Sequence, residues 1–119
     1  MNRCNLHFLE GNLTRDPKVT RFLSVDKNGN EKENTVVDFT LACDGGRTGN
    51  EDETYFADCE AWDTAAVRIG EFRKGDCLRV DAVGRNKDWV DKTTGEKRFR
   101  NVYRVTHFIP IFVKKTNDA

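Results

Sequence analysis

The sequence predicts an all-β domain, a five-stranded Greek-key barrel with one short helix between its third and fourth strands. Three observations predict it. Side chains alternate with period two in the runs Val36 to Cys43, Thr54 to Trp62 and Leu78 to Ala82, the pattern of strands with one buried face. Only the stretch after Trp62 changes to a helical period. Polar segments containing glycine separate the runs, as turns do between short strands. At 119 residues the chain is expected to form a single domain, long enough to remove roughly two-thirds of its unfolded surface from water.

Taken in order, Asn5 to Thr14 reads as the first strand, with Gly11 at a bend or bulge where a missing side chain relieves curvature. Arg15-Asp16-Pro17 turns the chain, and Lys18 to Leu23 resumes an extended run carrying Lys18 and Arg21. Ser24 to Thr35 is polar with a glycine near its centre and is expected to be a solvent loop. The second strand, Val36 to Cys43, turns Val37, Phe39, Leu41 and Cys43 inward and Asp38 and Thr40 outward. Asp44 to Glu53 is glycine-rich and acidic, which suggests a mobile finger. Its glycines lack the Gly-Lys-Ser/Thr ending of a phosphate loop and its carboxylates lack His or Cys companions, so neither nucleotide nor metal binding is expected there.

The third strand, Thr54 to Trp62, organises the rest. Tyr55, Ala57, Cys59 and Ala61 point one way, while Phe56, Asp58, Glu60 and Trp62 point the other. At about 3.3 Å per residue the two rings of the second set lie roughly 20 Å apart. Separated rings on a wet face suit an extended ligand of stacked planar units, and single-stranded nucleic acid is the commonest such ligand. Cover by another strand or subunit is the alternative for one or both rings.

After Trp62, Asp63 is expected to cap a helix from Thr64 to Arg73 that buries Ala66, Ile69 and Phe72 and closes at Lys74-Gly75. A long strand follows, with Leu78, Val80 and Ala82 inward and a bend at Gly84. Beyond it Arg85, Lys87 and Trp89 share one parity. Such interleaving lets cations hold phosphates while a ring stacks on a base. Asp91 to Lys97 is a hairpin turn, and the returning strand, Arg98 to Ile109, carries Arg98, Arg100 and Arg104 on one side. Pro110 is expected to end its ladder, so that the domain spans residues 1–110 and 111–119 form a short polar tail.

Composition excludes several function classes. With 37% hydrophobic and 34% charged residues the chain is too apolar for disorder and too polar for a membrane span. The N-terminus carries no secretory signal, which points to the cytoplasm. The four cysteines, Cys4, Cys43, Cys59 and Cys77, contain no Cys-x-x-Cys pair and read as reduced thiols rather than metal ligands. His7 and His107 lie near opposite ends of the chain without a nucleophile pattern, so no catalytic residue, metal or cofactor is expected. Net charge is zero but unevenly distributed: residues 24–83 carry seven basic and fourteen acidic side chains, and residues 84–115 carry nine basic and three acidic. A neutral chain with that asymmetry can still present a basic face.

Five strands with this helix placement describe a barrel of the oligonucleotide-binding (OB) type. The chain also resembles the bacterial and phage single-stranded DNA-binding protein family. The matching pieces are Gly11-Asn12-Leu13-Thr14-Arg15-Asp16-Pro17, Phe39-Thr40-Leu41-Ala42, Glu53-Thr54-x-Phe56, Ala61-Trp62, Arg73-Lys74-Gly75-Asp76, and Trp89-x-Asp91 with Gly95-x-Lys97-Arg98. Their order and spacing cover roughly residues 3–109.

The resemblance implies an OB-fold subunit that assembles into homo-oligomers, dimers or tetramers, and coats single-stranded DNA without sequence preference during replication, recombination and repair. It implies base stacking at Phe56, Trp62 and Trp89. The candidate phosphate contacts are Arg3, Lys18, Arg21, Arg47, Arg73, Lys74, Arg85, Lys87, Arg98 and Arg100.

Some features depart from the family. The segment after the second strand offers Arg47 but no aromatic, and Asp58 and Glu60 stand between the rings, where acids repel phosphate. The chain ends Lys-Lys-Thr-Asn-Asp-Ala rather than in an acidic tip with a terminal aromatic, so recruitment of replication and repair proteins by that route is not assumed. Two other classes remain: a primosome-accessory-like adaptor acting through protein contacts, and an RNA-binding OB domain, separable by competition between ribose and deoxyribose ligands.

Overall fold

The inward residues of the alternating runs meet in one core. In the structure, a computed structural model that describes residues 3–48 and 51–113, Leu13, Val37, Phe39, Leu41, Ala57, Cys59, Ala61, Leu78 and Val80 pack together out of water. Ala66 and Ile69 of the helix close one end of this core, and Phe72 packs edge-on against Phe108. The elements are β1 (His7–Leu13), β2 (Lys18–Val25), β3 (Glu31–Thr48), β4 (Glu51–Trp62), α1 (Asp63–Ile69), β5 (Cys77–Val90) and β6 (Lys97–Phe112). No helix among the described residues is long and apolar enough to cross a membrane.

The sheet runs β1-β5-β6-β4-β3-β2, and a second pairing of β1 with β3 rolls it into a barrel. That closure rests on Asn12 opposite Ala42 and Leu13 opposite Leu41. Gly11 stands at the seam, where a Cβ would fall 2.5 Å from the Ala42 carbonyl oxygen. Backbone must approach backbone there, so the expected bend is a contact that only glycine permits. On the opposite side the barrel is joined by a short parallel pairing, Cys59 with Tyr103 and Glu60 with Arg104.

Among the described residues six strands are present rather than five. The additional one is the run expected to be extended from Lys18 to Leu23, which continues to Val25 and pairs with a β3 that already begins inside the expected solvent loop, from Lys18 opposite Asp38 to Val25 opposite Glu31. Asp26 alone organises the turn by accepting the Asn28 and Asn30 amides, so polar residues on either side extend as a ribbon. All eight β2 residues are exposed, which is why no buried alternation marked it in the sequence. The expected finger likewise continues as paired strand through Thr48 and from Glu51. Its register shifts between Asp44 and Arg47, and Gly46 takes φ 95°. Residues 49 and 50 lie outside the described residues.

The helix is shorter than its sequence pattern, ending at Ile69, and Asp63 is its first residue rather than its cap. Trp62 precedes the helix in an extended conformation without a capping side chain, and Asp63 turns the corner at φ 54°. Asp tolerates that conformation better than most residues. β6 continues past Pro110, which stands opposite Leu78, to Phe112 opposite Cys77. Proline is accommodated because β4 has already left that edge of β6, so a missing N–H breaks no ladder bond there. The expected tail therefore begins inside β6, and 114–119 lie outside the described residues.

Candidate nucleic-acid interface

Strand register assembles one outer face from separate parts of the chain. Along β4, Phe56, Asp58, Glu60 and Trp62 stand opposite Ala42, Thr40, Asp38 and Val36 of β3. Next to them β5 and β6 form a long hairpin in which Arg85 faces Val102, Lys87 faces Arg100 and Trp89 faces Arg98. Among the described residues three ion pairs join the hairpin to β4: Arg85 to Glu60 at 2.8 Å, Arg104 to Glu60 at 3.4 Å and Arg100 to Asp58 at 3.7 Å. Phe56, Trp62, Arg85, Lys87, Trp89, Arg98 and Arg100, which alternation singled out separately, thus lie on connected surface.

The three rings are presented differently. Phe56 is 62% exposed and Trp89 45% exposed, so both offer a free face. Trp89 shares a cavity of about 310 Å³ with Lys87, Asp88 and Arg100. Trp62 is half-buried. Phe22 of β2 meets it edge to face at 5.9 Å between centroids, and the Arg104 guanidinium lies 5.5 Å from its ring centre. Its indole N–H is buried without a hydrogen-bond partner among the described residues.

The acids on this face are neutralised locally. Glu60 was expected on a wet surface, yet only 2% of it is exposed. One oxygen, Oε1, accepts from Arg85 Nη1 at 2.8 Å and from Arg104 Nε at 3.4 Å. A carboxylate buried to this degree is tolerable only with such partners, and two arginines around one acid leave the group net cationic. Asp58 is more open; Thr40 Oγ1 donates to it at 2.9 Å and Arg100 approaches its other oxygen. Their expected repulsion of phosphate is therefore largely offset by arginines of β5 and β6.

The remaining candidate cations divide. Arg98 is drawn to the hairpin tip, with Asp91 at 3.0 Å and Glu96 at 3.7 Å. Lys18 and Arg21 lie on the exposed ribbon, where Lys18 stands opposite Asp38. Arg73 and Lys74 are exposed in the turn after α1, at the junction with the Asp16 turn rather than on the ring-bearing face. Arg3 is exposed just before β1. The Arg47 side chain lies outside the described residues.

Sequence reading missed two members of the face, Arg104 and Phe22. Arg104 had been placed on the arginine side of β6 without a role, and only the parallel pairing with β4 brings it beside Glu60. Phe22 becomes visible once β2 is paired, since Thr20 stands opposite Val36, which stands opposite Trp62.

Elsewhere the polar chemistry is structural. Cys43 and Cys59 are buried, Cys77 is partly so and Cys4 is exposed, all as free thiols. Burial pushes the Cys59 thiol up to about 12. Tyr55, expected to face the core, is 45% exposed at the barrel rim. Its hydroxyl hydrogen-bonds that of Tyr103 at 2.5 Å, and Tyr103 packs against the His7 ring. Among the described residues no group of three or more His, Cys, Asp or Glu side chains is arranged to hold a metal ion.

Comparison with known proteins agrees with this architecture. The model of the single-strand binding protein family matches residues 4–110. A single-stranded DNA-binding protein of Thermus thermophilus is 38% identical over 98 residues, covering 81% of this chain and 33% of the relative. Single-stranded DNA-binding protein 1 of Synechocystis is 31% identical over 111 residues, covering 92% of this chain and 84% of the relative. A crystal structure of a deletion mutant of the Thermus aquaticus single-stranded DNA binding protein superposes with a TM-score of 0.63 at 26% identity, over 98% of this chain and 45% of that one. The chain thus spans about a third of the length of its Thermus thermophilus relative. With an OB-type barrel, a ring-and-cation face and a match over nearly its whole length, the chain belongs to the single-strand binding protein family.

Proposed function

We propose that this protein binds single-stranded DNA without sequence preference, stacking bases on Phe56, Trp62 and Trp89 and holding phosphates with Lys87, Arg100 and neighbouring cations. It serves wherever replication, recombination or repair exposes single strands. The observation that carries this reading is the Trp89 cavity, where a half-exposed indole lines the same space as Lys87 and Arg100. Ring and cation side by side match the alternating base and phosphate of a single strand. Binding is stoichiometric and involves no chemistry: it opens hairpins by mass action, because only the open strand fits. Residues 1–110 form the binding domain.

The protein acts as a homo-oligomer in this reading. Two features support it: Leu6, Phe8 and Ile109 are large apolar side chains exposed at or beside the β1-β5-β6 sheet, and the edge of β1 from His7 to Glu10 has no strand partner opposite β5 among the described residues. An exposed apolar sheet face with an open edge is a common subunit contact. Sedimentation equilibrium reporting a monomer at micromolar concentration contradicts that part alone.

Titration of intrinsic tryptophan fluorescence tests the main reading. Oligo-dT is expected to quench strongly and to saturate at a defined number of nucleotides, with little response to duplex and a weaker one to oligo-rU. Equal response to all three, or none, removes the reading and favours an adaptor acting through protein contacts.

A further inference from the structure

We propose that Arg104 is a base-stacking contact of the single strand and that the buried Glu60 is the positioning residue that holds it flat. This rests on the single-strand binding reading. Arg104 has one side of its guanidinium 5.5 Å from the centre of the Trp62 ring, yet its side chain remains 47% exposed. A guanidinium on an indole is a planar cation whose second face is free to stack, and arginine planes stack bases as aromatic rings do. Arg104 also borders, with Trp62, Asp63, Ala65, Val105 and Thr106, an open cavity of about 430 Å³. A base entering there meets the guanidinium first and the half-buried indole behind it.

Glu60 holds the guanidinium over the ring. Its side chain is 3% exposed, and its Oε1 is shared by Arg104 Nε at 3.4 Å and Arg85 Nη1 at 2.8 Å. Contact through Nε fixes the guanidinium at its stem and leaves the terminal nitrogens for the ligand. Phe22, edge-on to Trp62, braces the ring from the ribbon side. The stacking proposed at Trp62 is thus made through Arg104, in the order base, guanidinium, indole, with Glu60 beneath.

The test turns on sign. Glu60→Gln removes a negative charge from the face, so bulk electrostatics alone predicts tighter binding and a steeper salt dependence. Positioning predicts the opposite, oligo-dT affinity about tenfold weaker with no steeper slope. Arg104→Lys keeps the charge and loses the plane, and the same loss of about tenfold is expected. A third arm uses an abasic deoxyribose-phosphate oligomer, on which wild type and Arg104→Lys should bind equally because nothing remains to stack. Thermal melts confirm that both variants are folded.

Unchanged or tighter binding by Glu60→Gln overturns the proposal, as does retained oligo-dT affinity in Arg104→Lys. An equal loss on the abasic oligomer overturns it too, by making Arg104 a phosphate contact. If wild type itself does not bind oligo-dT, the parent reading fails and the proposal with it; normal wild-type binding with unaffected variants removes the proposal alone.

Discussion

The amide of Lys74 donates to the Asp16 carboxylate at 2.8 Å, joining two turns that lie 58 residues apart. Around it Asn12 Nδ2 donates to the Gly75 carbonyl, Gly75 N–H to the Leu13 carbonyl, and Arg73 N–H to the Asp76 carboxylate. The segments Gly11 to Pro17 and Arg73 to Asp76, two of the pieces that carried the family resemblance, are therefore the two sides of one structural clasp. Asp16→Ala leaves an amide without its charged acceptor, which costs about 2 kcal/mol. Urea denaturation is expected to show that loss, while the salt dependence of DNA binding in the folded variant stays unchanged. A changed salt dependence with full stability would instead place Asp16 in the interface.

The core and the third strand were legible because buried alternation is a strong signal: Val37 to Leu41, Ala57 to Ala61 and Leu78 to Val80 face inward as their parity requires. The ribbon was not. With every β2 residue exposed, neither face selects a hydrophobic period, and Asp26 to Asn30 reads as the centre of a long loop rather than a tight turn. That one miss concealed Phe22. Glu60 was misread for a related reason: parity places it on the outer face, but its burial depends on two arginines contributed by β5 and β6, and a parallel pairing between strands far apart in sequence leaves no local trace.

The thiols should separate by depth. Cys59 is buried, with its pKa raised to about 12 chiefly by desolvation, and burial also raises Cys43 and Cys77. At pH 8 iodoacetamide is expected to label Cys4 rapidly and Cys59 only when the barrel opens, so mass spectrometry of the native protein shows one fast site. A raised folded pKa means that the buried thiol stabilises the fold below its unfolded value of 9.0, and that this contribution declines as pH rises toward 12. Fast labelling of Cys59 in native protein would contradict the packed core.

At the tip of the β5-β6 hairpin, Asp91 accepts the amides of Thr93 and Thr94 and then the Arg98 guanidinium, which hold its carboxyl below the ordinary 3.8. A depressed folded pKa stabilises the turn above the unfolded value, and the effect is lost as pH falls through the folded one. Amide exchange at Thr93 and Gly95 is therefore expected to accelerate below pH 3.8 while the barrel amides remain protected. Asp91→Asn should produce the same local loosening at neutral pH. If it does not, the turn is held by its backbone alone, through the Gly95 amide on the Asp91 carbonyl at 2.7 Å.

Lys87 and Trp89 share one cavity but should fail differently when removed. Trp89→Ala deletes a stack worth about 1 to 3 kcal/mol and no charge, so oligo-dT affinity falls at every salt concentration by the same factor. Lys87→Ala deletes one phosphate contact, so the slope of log K against log salt should shrink by about 0.7 while affinity at high salt changes little. Asp58→Asn moves binding the other way. Its side chain is 46% exposed and its Arg100 pair is long, at 3.7 Å, so the carboxylate competes with a phosphate for that arginine without fixing it. Relieving the competition should tighten oligo-dT binding a few-fold at low salt, with the gain vanishing as salt screens it. Weaker binding by Asp58→Asn would mean that Asp58 holds Arg100 in place, and that the loose pair on this face is as structural as the buried one at Glu60.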